Sequence, residues 1–249
     1  MTISAVIIAK NEEKNIADCI KSVSFVSEII LVDDYSSDKT KEIAENMGAK
    51  VYQRALAGNW GEQQTFAINQ ATSDWVLFID ADERVTEELA EEIQKVICKN
   101  ERFAYSIPFL NHSMGDRIKY GVLGSSSFVR LFPKDNVYVE GLVHPVFHHP
   151  YEVKKLKGVM LHYTYDNWEQ YLGKFNLYTK LAAQKNYDDG KRTNFFFDII
   201  LRPWVAFFKM FVLKSGWRDG KPGFILCVFH YFYTMMKYVR LYYLEKEKQ

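Results

Sequence analysis

The stretch WVLFIDADERV (75–85) ends an apolar run in Asp80, Asp82 and Glu83. Two carboxylates two residues apart on a turn can present oxygens to one hard cation. Mg2+ or Mn2+ takes such ligands and keeps positions for water and for a substrate's phosphates. Asp80 and Asp82 therefore read as a clamp for a divalent ion and a diphosphate. The plainer alternative is a solvated turn leading into a helix whose first turn favours acids, and Glu83 reads as an acid that owes its place to that helix. A second acidic pair, Asp33 and Asp34, lies in VDDYSSD (32–38). One of the two can accept hydrogen bonds from a base N–H or from ribose hydroxyls while the other builds the turn. Lys10, Asn11 and Glu12, in AKNEE (9–13), form a third polar group.

Each group follows a run that must be a buried strand. ISAVIIA (3–9), EIILVDD (28–34) and WVLFID (75–80) are near-continuous apolar segments, as strands covered on both faces are. Between them, Asn11 is placed to cap a helix with Ile16, Ile20 and Val23 on its apolar face. Residues 36–49 read as a capped helix stopped by Gly48. KVYQR (50–54) is a short strand and residues 61–71 are helical. Thr86 caps a further helix with Leu89, Ile93, Val96 and Ile97 on one face. The order βαβαβαβα predicts a parallel α/β sheet with right-handed crossovers. Such sheets bind ligands beyond the carboxyl ends of their strands, so all three polar groups are expected to line one crevice.

Residues 102–165 change character. FAYSIPFL, SSSFVRLF, NVYVEGLVHPVFHH and VMLHYTY read as strands, predicting an antiparallel extension of the sheet. From 166 the pattern turns helical and aromatic. The expected division is thus a catalytic domain over 1–165 and a helical region over 166–249. Between Lys191 and Lys221 there are seven basic residues and two acids, interleaved with aromatics. Residues 224–244 are apolar but interrupted by His230, Lys237 and Arg240, so helices lying in a membrane interface are expected rather than a span. The alternative is that these aromatics form the core of a helical domain. A net charge of +1 gives no support for nucleic acid as a partner. Three scattered cysteines exclude zinc or disulfide spacing and fit a reducing compartment. MTISAVIIAKNEE is expected to be the first core strand of a cytoplasmic protein, not a leader.

AVIIAKNEEKNIADCIKSV, EIILVDDYSSDKTKEIA and WVLFIDADERV, in this order, resemble the family 2 glycosyltransferases. NWGEQQTFAI, FVRLFPKD, VHP, LHYTY and LRPWVAFFKMFVLKSGWRDGKPGF are similar to the bacterial lipopolysaccharide-core β-glucosyltransferase branch, and the likeness spans nearly the whole chain. It implies a GT-A fold, an α/β Rossmann-like mixed sheet, with a helical, aromatic-rich C-terminal extension. It places Ala9, Asn11, Glu12, Asp33 and Asp34 in a base and ribose pocket. Asp80 would face ribose and diphosphate, and Asp82 would be the principal ligand of Mg2+ or Mn2+. Gln63 falls in a donor-facing segment where Gln64 and Thr65 replace the family's basic residue and Asn. Where many relatives read VHE, this chain has Val143, His144 and Pro145, so that glutamate is missing. Candidates for the catalytic base are Glu140, first, then His144 and Asp116; His144 can instead hold metal or diphosphate.

The implied activity is inverting transfer of a hexose from a nucleotide-diphosphate donor, by default UDP-hexose. The acceptor would be a lipid-linked or cell-envelope glycan such as lipopolysaccharide core. The enzyme would meet it as a peripheral protein on the inner face of the cytoplasmic membrane. A sugar nucleotidyltransferase is disfavoured because AKNEEKNI lacks a Gly-rich, Arg/Lys-containing loop. A catalytically inactive GT-A scaffold at the membrane is the remaining alternative, against which the acids stand. The sequence specifies neither the sugar, the linkage nor the oligomeric state.

Overall fold

The computed structural model describes residues 1–99, 101–142 and 145–247. The chain forms two compact units, residues 1–109 with 126–162 and residues 110–125 with 163–249. The first unit opens with β1 (Ile3–Ala9), α1 (Ile16–Ser22), β2 (Glu28–Asp33), α2 (Thr40–Asn46), β3 (Lys50–Gln53), α3 (Trp60–Gln70) and β4 (Trp75–Asp80). A short β5 (Glu83–Val85), α4 (Glu87–Cys98) and β6 (Ala104–Ser113) follow; β7 (Asp116–Ile118) belongs to the second unit. β8 (Ser127–Pro133), β9 (Tyr138–Glu140), β10 (Val146–His148), β11 (Val153–Lys155) and β12 (Met160–Tyr165) complete the strands.

The main sheet runs β3-β2-β1-β4-β8-β6-β12-β5. β1 pairs in parallel with β2 and with β4, so that Ala9 lies opposite Asp33 and Ile8 opposite Asp80. The polar strand ends are therefore neighbours at one edge. β1 is buried along its whole length because both faces are covered. Ile7, Leu31, Leu77 and Ile79 face a layer that includes α1 and α4, through Ile16, Leu89 and Ile93. Val6, Ile30, Val76 and Phe78 face Ala67 and Ile68 of α3. This two-sided burial is why the parallel strands are apolar without alternation.

Several local expectations are corrected. Asn11 does not cap α1, which begins only at Ile16 after Asn15 and has no side-chain cap. Asn11 instead adopts φ 56° in the preceding loop. α2 starts at Thr40, four residues later than expected, because Asp38 Oδ1 accepts the Thr40 N–H and holds residues 36–39 as a turn. Thr86 does cap α4, accepting the Leu89 N–H at 3.3 Å. β8 runs antiparallel to β4, and β6 antiparallel to β8, as predicted. β9 and β10, by contrast, leave the sheet to form a separate antiparallel hairpin, and β11 joins β6 in parallel. The hairpin packs Val139 under α3, on the face opposite α1 and α4.

The second unit holds α5 (Trp168–Asp188), α6 (Arg202–Phe208) and α7 (Gly220–Glu247). Two π-helical segments, Phe195–Leu201 and Lys209–Leu213, flank α6. Tyr171, Leu226 and Ile118 form its small core, packed by Trp168, Phe175 and Phe229. The Asp219 carboxylate accepts the Lys119 and Tyr120 N–H groups, pinning residues 119–120 to the start of α7. Among the described residues, no helix is long and apolar enough to cross a membrane.

Candidate active site

β4 delivers Asp80 to the edge of the sheet, and the chain turns through Ala81 and Asp82 into β5. The turn is held from several sides. Arg84 donates from Nη1 to the Ala81 and Glu83 carbonyls at 2.8 and 2.7 Å, and from Nη2 to Asn15 Oδ1. Glu83, which looked from sequence like the acid of a helix start, is 1% exposed. Its Oε2 accepts the Asp80 N–H at 2.9 Å and its Oε1 accepts Arg130 Nη2 at 2.8 Å. The same nitrogen of Arg130 donates to Asp80 Oδ2 at 2.7 Å. Arg130 arrives on β8 and its guanidinium is flanked by the rings of Phe78 and Phe109, at 5.1 and 5.5 Å.

Burial drives the Glu83 carboxyl well above its ordinary range, with Arg130 opposing and Asp80 and Asp82 adding to the rise. Burial also works against the charge on Arg130, but Glu83 and Asp80 outweigh it and hold that guanidinium more firmly protonated than usual. Asp82 stands beside this group with Oδ2 3.5 Å from His162 Nε2. His162 sits on β12 directly opposite Glu83 across the β5–β12 pair. Its side chain and that of Asp82 are each about a quarter exposed, at 29% and 23%. A carboxylate and an imidazole thus meet at the mouth of an acid-rich turn.

The end of β2 supplies the second group. Asp33 is fully buried and accepts the Ser36 N–H and Gln53 Nε2, which builds the loop. Asp34 accepts Lys10 Nζ at 2.8 Å and the Leu56 N–H at 2.9 Å. Its slight burial works upward, but Lys10 and the Leu56 N–H outweigh it and keep the carboxyl below the usual carboxylate range. The loop after β1 is sewn onto the loop after β2. Asn11 Oδ1 accepts the Ser37 N–H, Ser36 Oγ accepts the Asn11 N–H, and Thr40 Oγ1 accepts the Glu12 N–H. Glu12 Oε2 in turn accepts Asn15 Nδ2 at 2.8 Å. Ala9 is buried below this loop pair.

Gln63 is fully buried on α3, with Oε1 accepting Arg54 Nη1 at 2.6 Å and Nε2 donating to the Arg54 carbonyl at 2.7 Å. The Arg54 N–H donates to the Asp33 carbonyl. Sequence reasoning registered a basic residue lost from α3; Arg54 brings a guanidinium to that segment from the end of β3 instead.

Glu140 closes β9, three-quarters exposed, with Oε2 3.4 Å from His148 Nε2 across the hairpin. The hairpin is tied to the first turn of α3: the Trp60 and Gly61 N–H groups donate to the Leu142 and Gly141 carbonyls. The Thr65 hydroxyl bonds both backbone polar groups of Val139. Because α3 follows β3, its first turn lies at the carboxyl edge of the sheet, and so does the hairpin turn. His144 lies outside the described residues. Asp116 lies on β7 in the second unit.

Arg130, Arg54 and His162 are the residues that sequence reasoning left without a role at the site. Arg54 showed only as a lone charge after a strand-like segment, VYQR, while Arg130 and His162 lay in FVRLFPKD and LHYTY, two stretches that carry the likeness, with no role attached to them.

The family model described as "Glycosyl transferase family 2" matches residues 4–151. An uncharacterized glycosyltransferase of Rickettsia typhi is 31% identical over 96% of this chain and 86% of its own length. The lipopolysaccharide core biosynthesis glycosyltransferase LpsC of Rhizobium meliloti is 25% identical over 97% of this chain and 92% of its own. The crystal structure of S. aureus TarS 1-349 covers all of this chain, and 92% of TarS 1-349, at 16% identity and a TM-score of 0.48. The chain belongs to glycosyl transferase family 2 and carries its GT-A fold.

Proposed function

We propose that this glycosyltransferase moves a hexose, with inversion at C1, from a nucleotide-diphosphate donor, by default UDP-hexose, to a lipid-linked or cell-envelope glycan. Lipopolysaccharide core is the acceptor class that the likeness to LpsC favours. The observation that carries the reading is the meeting of Asp82 and His162, next to the strand end that delivers Asp80, at the carboxyl edge of the sheet that also carries Asp33 and Asp34. In this reading the enzyme works as a peripheral protein on the inner face of the cytoplasmic membrane. The Asp34, Asn11 and Glu12 loops hold base and ribose, with Gln63 keeping Arg54 in place beside them.

The donor set fits a divalent ion. Asp82 Oδ2 and His162 Nε2 lie 3.5 Å apart and offer one carboxylate oxygen and one imidazole nitrogen. A hard ion is commonly bound by one or two side chains and completed by diphosphate oxygens and water. Asp82 and His162 would hold it; Asp80, with Oδ2 given to Arg130, would contribute from the ribose side. A mixed carboxylate and imidazole pair ranks Mn2+ above weaker-binding Mg2+. When bound, the ion neutralises charge on the departing diphosphate.

The chain's own residues position the rest. The acceptor hydroxyl attacks C1 from the face opposite the diphosphate. The new C1–O bond forms as the bond from C1 to the β-phosphate oxygen breaks, and the nucleoside diphosphate takes that electron pair. Glu140 receives the hydroxyl proton, and His148 beside it orients the carboxylate. Holding the two substrates together supplies much of the acceleration.

The test is nucleotide release from a panel of donor sugars, with Mn2+, with Mg2+ and with chelator. Asp82→Ala should lower turnover about 10²–10³-fold, the scale of losing one charge-stabilising element. Metal-dependent turnover retained in that variant overturns the clamp. Glu140→Gln should lower kcat about 10²–10⁴-fold, the range of general-base catalysis, with the donor KM unmoved. An unchanged kcat removes Glu140 as the base.

A further inference from the structure

The segment Phe195–Leu213 is one helical rod of unusual winding: π turns, then α6, then π turns. Its large exposed side chains repeat every four residues. One row is Phe196, Ile200, Trp204, Phe208 and Val212; the row beside it is Phe197, Leu201, Val205, Lys209 and Leu213. The apolar members of both rows are between 42% and 69% exposed. The inner row, Ile199, Pro203, Phe207 and Phe211, keeps the same spacing and packs toward α7, with Phe207 and Phe211 against Phe224.

A four-residue repeat does not stay on one face of an α-helix. Each step overshoots a full turn by about 40°, so four steps would carry the row about 160° around the rod. A π turn closes i to i+5 and holds more than four residues, so it lags where the α turn overshoots. Alternating the two cancels the drift. The π segments thus keep two apolar rows straight along one face. The rod packs on α7 through the inner row and through one edge of Trp204, which meets Tyr231 at 5.0 Å, while the large side chains of the outer rows stay exposed for another occupant.

The charges around it name that occupant. Residues 191–221 carry Lys191, Arg192, Arg202, Lys209, Lys214, Arg218 and Lys221 against Asp198 and Asp219 alone. Both acids are turned inward: Asp198 accepts the Asn194 N–H and pairs with Arg202, and Asp219 accepts the Lys119 and Tyr120 N–H groups. Lys209 stands within the second apolar row and Lys214 just beyond both. Aromatic and aliphatic side chains on one face, with cations and no outward acid, match the boundary between headgroups and acyl chains of an anionic bilayer.

We infer that residues 195–213 lie in the plane of an anionic lipid surface, with the Phe196–Val212 and Phe197–Leu213 rows inserted and Lys209, Lys214 and Arg218 at the phosphates. This rests on the membrane-surface reading above and specifies which face makes the contact.

The experiment is cosedimentation of the full chain with vesicles of phosphatidylcholine alone and of phosphatidylcholine mixed with phosphatidylglycerol. The chain should pellet with the mixed vesicles and much less with the neutral ones, and release as salt rises. Trp204→Ser with Phe208→Ser should weaken binding roughly ten-fold or more. Lys209→Gln and Lys214→Gln should each weaken it about five-fold, the equivalent of ~1 kcal/mol per base near an anionic surface. The lysine variants touch only exposed side chains, and a circular-dichroism melt checks folding of every variant. A chain that stays in the supernatant, or binding unmoved by the substitutions, overturns the inference. So does a dimer in sedimentation velocity that Phe208→Ser dissolves, since the face then belongs to a second copy. Nucleotide release in the same preparations separates the readings. Its loss with vesicle binding intact removes the transferase reading; the converse removes only the lipid contact.

Discussion

The two ends of the same parallel strands treat their acids in opposite ways. At the amino end, the Glu28 carboxylate on β2 has four donors to itself: Ser4 Oγ, the Thr72 N–H, Thr72 Oγ1 and Lys50 Nζ. At the carboxyl end, Asp80 and Glu83 share a single nitrogen of Arg130, with Asp82 close by. The titration behaviour follows burial first, which is complete at Glu83 and partial at Glu28, and then the supply of donors. Some burial works upward on Glu28, but Ser4, Thr72 and Lys50 outweigh it and lower its pKa to about 2. Burial lifts Glu83 well above the ordinary range, and its acidic neighbours add to that. A donor-rich acid fastens the sheet. In the proposed reading, the acids at the carboxyl end, with Asp82 and His162 beside them, are the ones turned to a bound ion.

The sharpest way to break this contrast is at Arg130. Arg130→Ala leaves two carboxylates against one another, one of them buried, and should cost about 3–5 kcal/mol in thermal or denaturant unfolding. Activity should fall with it. The informative variant is Arg130→Met with Glu83→Leu, which removes the buried pair together. Replacing a buried ion pair by apolar side chains of similar volume is often neutral or stabilising. The double variant should therefore recover much of the stability while nucleotide release stays low, because the Asp80 N–H and carboxylate lose their holders. Full activity in the double variant would mean that Arg130 and Glu83 only fill space.

Glu28→Gln probes the other end. The folded pKa, about 2, lies below the ordinary 4.5, so the contribution is complete above pH 4.5 and is lost as pH falls from there toward 2. A shift of that size corresponds to roughly 3 kcal/mol. Glu28→Gln should lower stability at neutral pH by about 2–3 kcal/mol and flatten the acid limb of the stability curve. It should leave kcat alone. An acid limb as steep as in the parent chain would assign that dependence to other carboxylates.

How much of this was legible follows the distance over which each signal acts. The parallel strands and their polar ends were readable because two-sided burial writes itself as apolar runs, and the Thr86 cap because its partner is three residues away. Arg130 was not, since its partners lie 50 and 47 residues back in the chain. Glu83 was misread as the acid of a helix start because nothing local distinguishes an acid in a helix's first turn from one inserted into the sheet. The hairpin of Glu140 looked like another strand of the extension, since its alternation is the same; only the bonds to α3 place it elsewhere. The 195–213 rod looked like ordinary helix, because π winding shows in sequence only as a four-residue repeat.

The smallest effect expected is at Gly61, where the hairpin meets α3. A Cβ built there would lie 2.9 Å from both the Gly141 nitrogen and the Val139 oxygen, backbone atoms with no flexible side chain to yield. Overpacking of this kind costs about 1–3 kcal/mol. Alanine returns about 0.5–1 kcal/mol through helix propensity. The net loss of stability for Gly61→Ala should thus be only about 1 kcal/mol, close to the reach of a denaturation curve. The displacement should matter more to the reaction. Moving Gly141 by a few tenths of an ångström moves Glu140 against the fixed Asp80–Asp82 turn. If Glu140 takes the acceptor proton, kcat should fall several-fold while the donor KM holds, since Asp34 and Asp82 keep their places. A change confined to donor KM would instead show that this contact shapes the nucleotide side through Arg54 and Gln63. The amino end of the sheet offers the control: Asp74→Ala, which removes the acceptor of the Thr2 N–H and hydroxyl, should leave both kcat and KM where they were.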